Sequence, residues 1–257
     1  MQISSALQRL LLRVRPAFLA AGIKKLLRIE RLVVDTRHGR FLLDPVSNLG
    51  SRLMRTGEYE PEMARTLEHY LAASSTFLDV GANEGYFSVM GSKLVGPAGR
   101  VIAIEPQTRL QAVLKENLRL NDALRVEVVT AAISDTSGKA KLHISPDTNT
   151  GSSSLAQTTA YRLPTEEVPT KTLLDLLAEC RVGTVDLMKM DIEGFEYEAI
   201  LGSKALFASH RIRALALELH PAVLAKKRLN PDDITNFLRE SGYRRENRFS
   251  NDVWVAP

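Results

Sequence analysis

Residues 76–86 read TFLDVGANEGY, a short apolar run followed by an acid and two glycines. The first five residues have the composition of a buried strand. Gly81 and Gly85 allow the backbone to turn sharply and to approach a ligand without a clash at Cβ. Asp79 adds a carboxylate at the end of the strand. A strand, a glycine turn and a helical pattern, in this order, predict a ligand site at the carboxyl end of an α/β sheet.

A second acid ends the next predicted strand, residues 100–105. This acid is Glu105, and it follows the glycine turn by about twenty residues, as in dinucleotide-binding folds. A carboxylate at this place can accept hydrogen bonds from the hydroxyls of an adenosine ribose. The two strand ends together therefore predict a nucleoside-binding site.

The turn departs from the nicotinamide dinucleotide fingerprint, G-x-G-x-x-G. Asn83 and Tyr86 occupy its second and third glycine positions, and the acids Asp79 and Glu84 disfavour a phosphate group. These residues favour a cofactor that has a ribose and a positive centre but no phosphate. S-Adenosylmethionine has these properties, and a dehydrogenase is disfavoured.

Short apolar strands alternate with helical patterns over most of the 257 residues. Because these strands lack strict alternation, they predict a mostly parallel sheet covered by helices on both faces. The expected fold class is α/β, doubly wound, without a linker that divides the body. A hairpin is predicted around His38-Gly39. Further strands are predicted at 125–130, 185–191, 212–218, 243–247 and 252–256, and helices at 61–73, 86–94, 107–120, 172–180, 195–206 and 230–241.

Charge is distributed unevenly along the chain. The net charge is +4, and six of the 34 basic side chains lie within residues 1–29, which contain no acid. The rest has a slight acidic excess, so a basic nucleic-acid-binding surface is not expected there. We interpret residues 1–30 as a basic helical N-terminal extension and residues 31–257 as one domain.

The extension has apolar residues at helical spacing but no run near the ~20 apolar residues of a membrane-spanning helix. Two interpretations stay open: short helices packed on the domain or on a second subunit, or a basic amphipathic segment on an anionic membrane surface. Pro16 and Lys24-Lys25 disfavour a signal peptide. The single cysteine, Cys180, fits a reducing compartment. We expect a cytoplasmic protein, with or without membrane contact.

Residues 187–196 read LMKMDIEGFE, and their D-x-E-G motif is the most specific signal in the chain. Together with residues 77–86 and Glu105-Pro106, this block resembles the FkbM family of S-adenosylmethionine-dependent methyltransferases. Further similarities are GEYEPE at 57–62, AISD at 132–135 and GSSSL at 151–155. The resemblance covers residues from about 31 to 220. It implies a class I, Rossmann-like methyltransferase sheet and methyl transfer, usually to oxygen, often on sugars, polysaccharides or secondary metabolites.

The resemblance also implies a cofactor site for S-adenosylmethionine. The expected contacts are Asp79, Gly81, Asn83 and Gly85 at the methionine end, Glu105 at the ribose, Ala132, Ile133 and Ser134 near the adenine, and Glu60 from the upstream segment. No residue is assigned as a metal ligand.

Two acids and a histidine are the candidate catalytic residues. Asp191 and Glu193 bracket the end of the predicted strand 185–191, so both carboxylates face one side if the strand persists as far as residue 193. Two close carboxylates raise one pKa, and such a group can take a proton from a hydroxyl acceptor. The pair could instead bind Mg²⁺ or stabilise the N-terminus of the next helix. His220, after the strand 212–218, is a further candidate base, whereas Lys189 is expected to be structural.

The leading hypothesis is an O-methyltransferase that acts on a hydroxyl of a small molecule or glycan. The alternatives are an N- or carboxyl-methyltransferase acting on a metabolite or protein, and a non-catalytic nucleoside-binding module. The polar segment 145–164 is either a surface loop or a lid over the acceptor. The sequence does not identify the acceptor.

Overall fold

The computed structural model describes residues 23–24, 26–145, 153–155, 164–246, 249 and 251–257. Most of the basic extension and most of the polar segment 145–164 lie outside the described residues. Among the residues described, no helix combines the length and the apolar character that crossing a membrane requires.

Strands and helices alternate through the middle of the chain, as the apolar pattern predicts. The described strands are β1 (Leu32–Thr36), β2 (Gly39–Leu43), β3 (Thr76–Val80), β4 (Arg100–Ile104), β5 (Glu127–Val129), β6 (Ala132–Ile133), β7 (Gly138–His143), β8 (Thr165–Lys171), β9 (Leu187–Met190), β10 (Ala214–Leu217), β11 (Arg244–Glu246) and β12 (Asp252–Val255). The described helices are α1 (Asn48–Thr56), α2 (Pro61–Tyr70), α3 (Tyr86–Val95), α4 (Thr108–Leu120), α5 (Leu173–Glu179), α6 (Glu196–Leu201), α7 (Lys204–Ala208), α8 (Pro221–Lys226) and α9 (Pro231–Glu240).

Seven strands form the central sheet, in the order β11-β12-β10-β9-β3-β4-β5. The strands from β10 to β5 are parallel, and β12 pairs antiparallel with β10 and β11. The chain runs outward from β3 to β5, then returns to β9 and runs outward to β10. The strand order therefore reverses between β3 and β9, and a crevice opens outside their carboxyl ends. The predicted doubly wound, mostly parallel α/β fold is confirmed.

Helices cover both faces of the sheet because its central strands are apolar on both sides. Phe77 and Leu78 are adjacent on β3, point to opposite faces and are fully buried. Phe77 packs in a cluster with Leu67, whereas Leu78 packs in another cluster with Leu177 and Ile200. Burying such a side chain contributes roughly 1.5–3 kcal/mol, which explains why β3 and β9 are largely apolar and carry charge only at Asp79 and Lys189, which face each other.

Several elements differ from the predicted ones. A second sheet, in the order β6-β8-β7, was not predicted, because β8 is largely polar and buries only Val168 and Thr170. The short helices α1 and α8 were also not predicted. The single helix predicted over 195–206 is wrong, since α6 ends at Leu201 and α7 begins at Lys204. Gly202 lies between them, where a Cβ would be too close to Asp135.

Candidate functional site

A cavity lies outside the carboxyl ends of β3, β4 and β9. Its empty volume, including the part open to solvent, is about 1090 Å³. The wall is built from the loops after these strands, from α1, from the segment before α2 and from residues 153–155. The predicted site residues that line it are Glu60, Gly81, Asn83, Glu105, Ala132, Ile133, Asp191 and Glu193.

The glycine turn after β3 brings backbone to the cavity wall. Gly81 and Gly85 have φ of 86° and 85°, in the left-handed region. A Cβ at Gly81 would collide with the carbonyl oxygen of Asp191, and a Cβ at Gly85 would collide with Leu114. Gly81 therefore brings the loops after β3 and β9 together, whereas Gly85 packs against α4 and does not reach the cavity.

Asp79 lies beneath the cavity wall and is fully buried. Its Oδ2 accepts a hydrogen bond of 2.6 Å from Ser88, and its Oδ1 lies 3.7 Å from Lys189 Nζ. Burial raises the pKa of Asp79, although the Lys189 ammonium and the Ser88 hydroxyl oppose this rise. Asp79 therefore does not line the cavity and influences its charge through the contact with Lys189.

Lys189 is more than the structural residue that the sequence suggests, because it lines the cavity. Its Nζ donates a 3.0 Å hydrogen bond to the carbonyl oxygen of Gly81 and lies 3.9 Å from Asp191 Oδ2. The nearby carboxylates raise the pKa of Lys189 against the effect of burial. A lysine inside an apolar strand is itself a signal, since a buried ammonium requires partners.

Glu105 is placed to bind hydroxyl groups in the cavity. It is buried, and its two oxygens accept 2.9 Å hydrogen bonds from the backbone N–H groups of Gln107 and Asn83. Burial raises the pKa of Glu105, and these hydrogen bonds oppose the rise. A carboxylate has about four lone-pair directions, so acceptor capacity remains for a ribose.

The structure brings Ala132 and Ile133 to the cavity, but not Ser134. The Ser134 hydroxyl donates to Asp135 Oδ1 at 3.1 Å, and its backbone N–H donates to the carbonyl oxygen of Lys171 at 3.0 Å. Ser134 thus belongs to the second sheet, and Ala131 lines the cavity beside Ala132 instead.

Asp191 and Glu193 converge, but for a different reason from the predicted one. Strand β9 ends at Met190, so strand alternation does not place the two carboxylates. Instead, Glu193 takes a left-handed φ of 53° and Gly194 follows with a φ of 96°. This turn brings both carboxylates near His220 Nε2, which lies 3.7 Å from Asp191 Oδ1 and 3.4 Å from Glu193 Oε2.

Glu196 holds His220 from the other side of the ring. Its Oε1 lies 3.0 Å from His220 Nδ1 and accepts 3.1 Å hydrogen bonds from the backbone N–H groups of Ile192 and Gly194. The surrounding carboxylates raise the pKa of His220 to about 9 despite burial. Burial and the neighbouring acids raise the pKa of Glu193 to about 7. His220 is therefore protonated at neutral pH, and Glu193 is the better proton acceptor.

Comparison with known proteins identifies the family of the chain. Residues 79–245 match the model of the Methyltransferase FkbM domain. The chain belongs to this family. It is also 29% identical over 161 residues to Methyltransferase sdnD of Sordaria araneosa, a match that covers 51% of this chain and 61% of that protein. The chain thus spans about three fifths of the length of this curated relative.

Two solved structures are among those to which this FkbM-family chain is similar. One is Methyltransferase FkbM from Methylobacillus flagellatus KT, with 17% identity, a TM-score of 0.44 and coverage of 83% of this chain and 62% of that chain. The other is Aeropyrum pernix fibrillarin in complex with S-adenosyl-L-methionine, with 12% identity, a TM-score of 0.42 and coverage of 76% and 73%.

The residues of this FkbM-family cavity fit S-adenosylmethionine. Among the described lining residues, six are acidic and only Lys189 is basic. Glu84 is paired with Arg31, so the other five acids favour a cation at the wall and disfavour phosphate. Glu105 has acceptor capacity for a ribose, and Ile133 and Leu142 offer apolar surface for a base. The six acids are Glu60, Glu84, Glu105, Asp191, Glu193 and Glu218.

Some wall residues of the FkbM-family site were not predicted from the sequence. Ser154 donates a 2.7 Å hydrogen bond from Oγ to the carbonyl oxygen of Glu193, and Ser153 donates a 2.9 Å hydrogen bond to Gln107 Oε1. These serines belong to the polar segment 145–164, and its GSSSL motif is the signal that could have identified them. Glu218, after β10, also lines the cavity, and burial raises its pKa.

Proposed function

We propose that the chain is an S-adenosylmethionine-dependent methyltransferase that transfers a methyl group to a hydroxyl oxygen of a small molecule or glycan. The observation that carries this proposal is the convergence of Asp191, Glu193 and His220 beside a cavity that fits the cofactor. When bound, S-adenosylmethionine supplies an electrophilic methyl group. A hydroxyl acceptor must lose its proton as it attacks, and this cluster offers a base at that point.

In this proposal Glu193 takes the proton from the acceptor hydroxyl. Its pKa of about 7 keeps a useful carboxylate fraction at neutral pH and still favours proton uptake during the reaction. His220, protonated and fixed by Glu196, orients the Glu193 and Asp191 carboxylates. Asp191 lies between His220 Nε2 and Lys189 Nζ and is placed to orient the acceptor.

The Lys189 side chain contributes by fixing the positions of the reacting groups. Lys189 joins the loop after β3 to the loop after β9, so the cofactor-binding and base-bearing segments form one wall. Methyl transfer is an in-line displacement, and holding its partners in line can supply a large part of the rate acceleration. A catalytic site of this kind requires no nucleophilic residue that forms a covalent bond with the acceptor.

A metal-assisted route is the second candidate. Asp191, Glu196 and His220 each offer a ligand atom, and these atoms lie within 4.8 Å of one another. A divalent cation there would lower the pKa of a bound hydroxyl. In the absence of a metal the pKa of His220 is about 9, so a cation bound there would have to displace the imidazolium proton. Methyl transfer that stops with EDTA and returns with Mg²⁺ would favour the metal-assisted route.

Calorimetry with S-adenosylhomocysteine and methyl labelling test the proposal together. We expect the purified chain to bind S-adenosylhomocysteine and to transfer tritiated methyl groups to a glycan or small-molecule fraction of a lysate from the producing cell. Glu193→Gln should lower the labelling rate roughly 10²- to 10⁴-fold with little change in calorimetric affinity. Glu116→Gln, on the exposed part of α4, is the matched control. Absence of binding at millimolar ligand, or label in protein alone, would contradict the proposal.

A further inference from the structure

A second depression adjoins the cofactor cavity, and we call it the α1 groove. It is lined by Asn48, Ser51, Arg52, Arg55, Tyr59 and Glu60. Tyr59 and Glu60 also line the cofactor cavity, so the two spaces adjoin at these residues. An acceptor that reaches past Tyr59 and Glu60 would have its reacting hydroxyl in the cavity and the rest of the molecule in the α1 groove.

Helical spacing places four polar side chains along this groove. They stand at positions i, i+3, i+4 and i+7 of α1, which share one helix face, whereas Leu49 and Leu53 are buried. Asn48, Arg52 and Arg55 are exposed. Because α1 contains no acidic residue, neither arginine has a carboxylate partner on its own helix.

Arg52 and Arg55 differ from other arginines nearby in the partners of their guanidinium groups. Within the described residues, neither side chain forms an ion pair or a hydrogen bond, although Arg52 is close enough to Glu60 to oppose the rise of the Glu60 pKa caused by burial. In contrast, Arg37 pairs with Glu58, Arg65 with Glu62 and Arg245 with Asp252. The guanidinium groups of Arg52 and Arg55 therefore remain available to a ligand.

The charge of the cofactor cavity decides where an anionic group of the acceptor can lie. The carboxylates of the cavity wall would repel an anion placed among them, and burial would strengthen the repulsion. The α1 groove has the opposite balance, with two guanidinium groups against the single carboxylate of Glu60. An acceptor with an anionic group would therefore be oriented, with that group in the groove and a neutral hydroxyl in the cavity.

We infer that the acceptor carries a phosphate or carboxylate group that Arg52 and Arg55 bind while a neighbouring hydroxyl is methylated. Guanidinium groups bind both anions through paired, charge-assisted hydrogen bonds. Asn48 and Ser51 add neutral donors and acceptors suited to the hydroxyls of a sugar or polyol. This inference rests on the proposed function and narrows its acceptor class to acidic or phosphorylated sugars and polyols.

Anion-exchange fractionation of a labelled lysate tests the inference even while the acceptor is unidentified. The chain is incubated with methyl-tritiated S-adenosylmethionine and a protein-depleted lysate of the producing cell, and the products pass over an anion exchanger at pH 8. We expect the label to be retained and released by salt. Phosphatase treatment before chromatography should abolish retention of a phosphate monoester and leave a carboxylate product retained.

Charge-removing variants link the retained product to the α1 groove. R52A/R55A should lower the initial labelling rate at least tenfold at low lysate concentration, and the rate should recover as lysate concentration rises, because acceptor affinity is lost and not the chemical step. R52K/R55K should recover part of the loss. R119A/R125A is the matched control, because it removes the same charge near the amino ends of the strands, away from the groove.

The outcomes separate this inference from the proposed function. Unreacted S-adenosylmethionine is cationic and also passes through the anion exchanger, so the flow-through is freed of it on a cation exchanger. Label that then remains in a neutral product, or retained label that R52A/R55A does not reduce, overturns the anionic acceptor and leaves the methyltransferase in place. Absence of label from every fraction contradicts the proposed function and the inference together. Calorimetric affinity for S-adenosylhomocysteine should be the same in all these variants, which excludes loss of the cofactor site as the cause.

Discussion

Glu193 combines a left-handed backbone conformation with a raised side-chain pKa. A left-handed non-glycine residue costs of order 1–3 kcal/mol and persists only where its surroundings enforce it. Here the Ser154 hydroxyl binds the Glu193 carbonyl oxygen, and the Glu196 carboxylate binds the next backbone N–H group. The strain is thus balanced by contacts that aim the Glu193 carboxylate toward His220 and the cavity.

Glu193 and His220 predict a bell-shaped dependence of methyl transfer on pH. The carboxylate form of Glu193 is active, so kcat/KM should rise as pH increases through about 7. Loss of the His220 proton should lower it again as pH passes about 9. Initial labelling rates between pH 5.5 and 10 measure both limbs. Glu193→Gln should remove the lower limb from the residual activity, and an unchanged limb would exclude Glu193 as the base.

The acidic cavity also predicts different pH dependences for binding of the charged cofactor and of its uncharged product. S-Adenosylmethionine carries a sulfonium charge that S-adenosylhomocysteine lacks, and ionised Glu193 attracts that charge. Calorimetry from pH 6 to 8 should show affinity for S-adenosylmethionine increasing relative to S-adenosylhomocysteine, with proton release on binding below pH 7. Glu193→Gln should flatten the ratio. A constant ratio in the unmodified chain would mean that Glu193 is too far from the sulfonium to act.

At the scale of elements, hydrogen bonds attach the β1–β2 hairpin to the glycine turn after β3. Arg31, at its start, forms two 2.9 Å hydrogen bonds with the buried Glu84 carboxylate. Asn117 of α4 accepts from the Leu42 backbone N–H and donates to the Glu84 carbonyl oxygen. The Glu84 carboxylate is thus neutralised by an ion pair. An acid occupies this position of the glycine turn because it attaches the turn to the hairpin.

Removal of Arg31 should weaken both the fold and the cofactor site, because it leaves Glu84 buried without its partner. We expect Arg31→Met to lower the free energy of unfolding by roughly 3 kcal/mol and the affinity for S-adenosylhomocysteine at least tenfold. R31M/E84Q should recover most of the stability. Arg40→Ala, which breaks an exposed pair with Asp35 on the same hairpin, should cost no more than about 1 kcal/mol. Denaturant unfolding measures the free energy of unfolding, and calorimetry measures the affinity for S-adenosylhomocysteine. Equal losses of stability in R31M and R40A would contradict a structural role for the Arg31–Glu84 pair.

The sequence predicts elements well where burial dominates and poorly where it does not. The strands Thr76–Val80 and Ala214–Leu217 are apolar, apart from Thr76 and Asp79, because both of their faces are covered, so their composition reveals them. Strand β8 buries alternate residues of a polar segment, and helix α1 is only nine residues long. Strand β8 therefore lacks an apolar pattern, and α1, although amphipathic, is shorter than the roughly 11–18 residues over which helical periodicity is recognised.

The site residues that the sequence predicts depend on local position, whereas those that it misses depend on contacts between distant segments. Gly81 and Glu105 are recognisable because their roles depend on their place at a strand end. The contact of Ser154 with Glu193 and the pairing of Arg31 with Glu84 join residues far apart in the chain, so no local pattern encodes them. The pKa of His220 also depends on Glu196, whose position relative to the ring follows from the turn at Gly194.

At the scale of the whole molecule, the site joins the two halves of the sheet. β3, β4 and β5 carry the glycine turn and Glu105, whereas β9 and β10 carry Lys189, Asp191 and the strand end before His220. The two halves contact each other along β3 and β9 and through Lys189. A ligand that touches both halves should therefore stabilise them as one unit.

This arrangement predicts a single unfolding transition that ligand shifts as a whole. At one hundred times its Kd, S-adenosylhomocysteine should add about 2.7 kcal/mol to the free energy of unfolding, with no change in denaturant slope. Fluorescence of Trp254, on β12, and far-ultraviolet circular dichroism should report the same midpoint with and without ligand. Glu105→Ala should remove most of the shift while the unliganded transition stays single. A ligand-dependent split between the two probes would show instead that the half bearing β12 unfolds independently, and that the cofactor stabilises only the strands around the glycine turn.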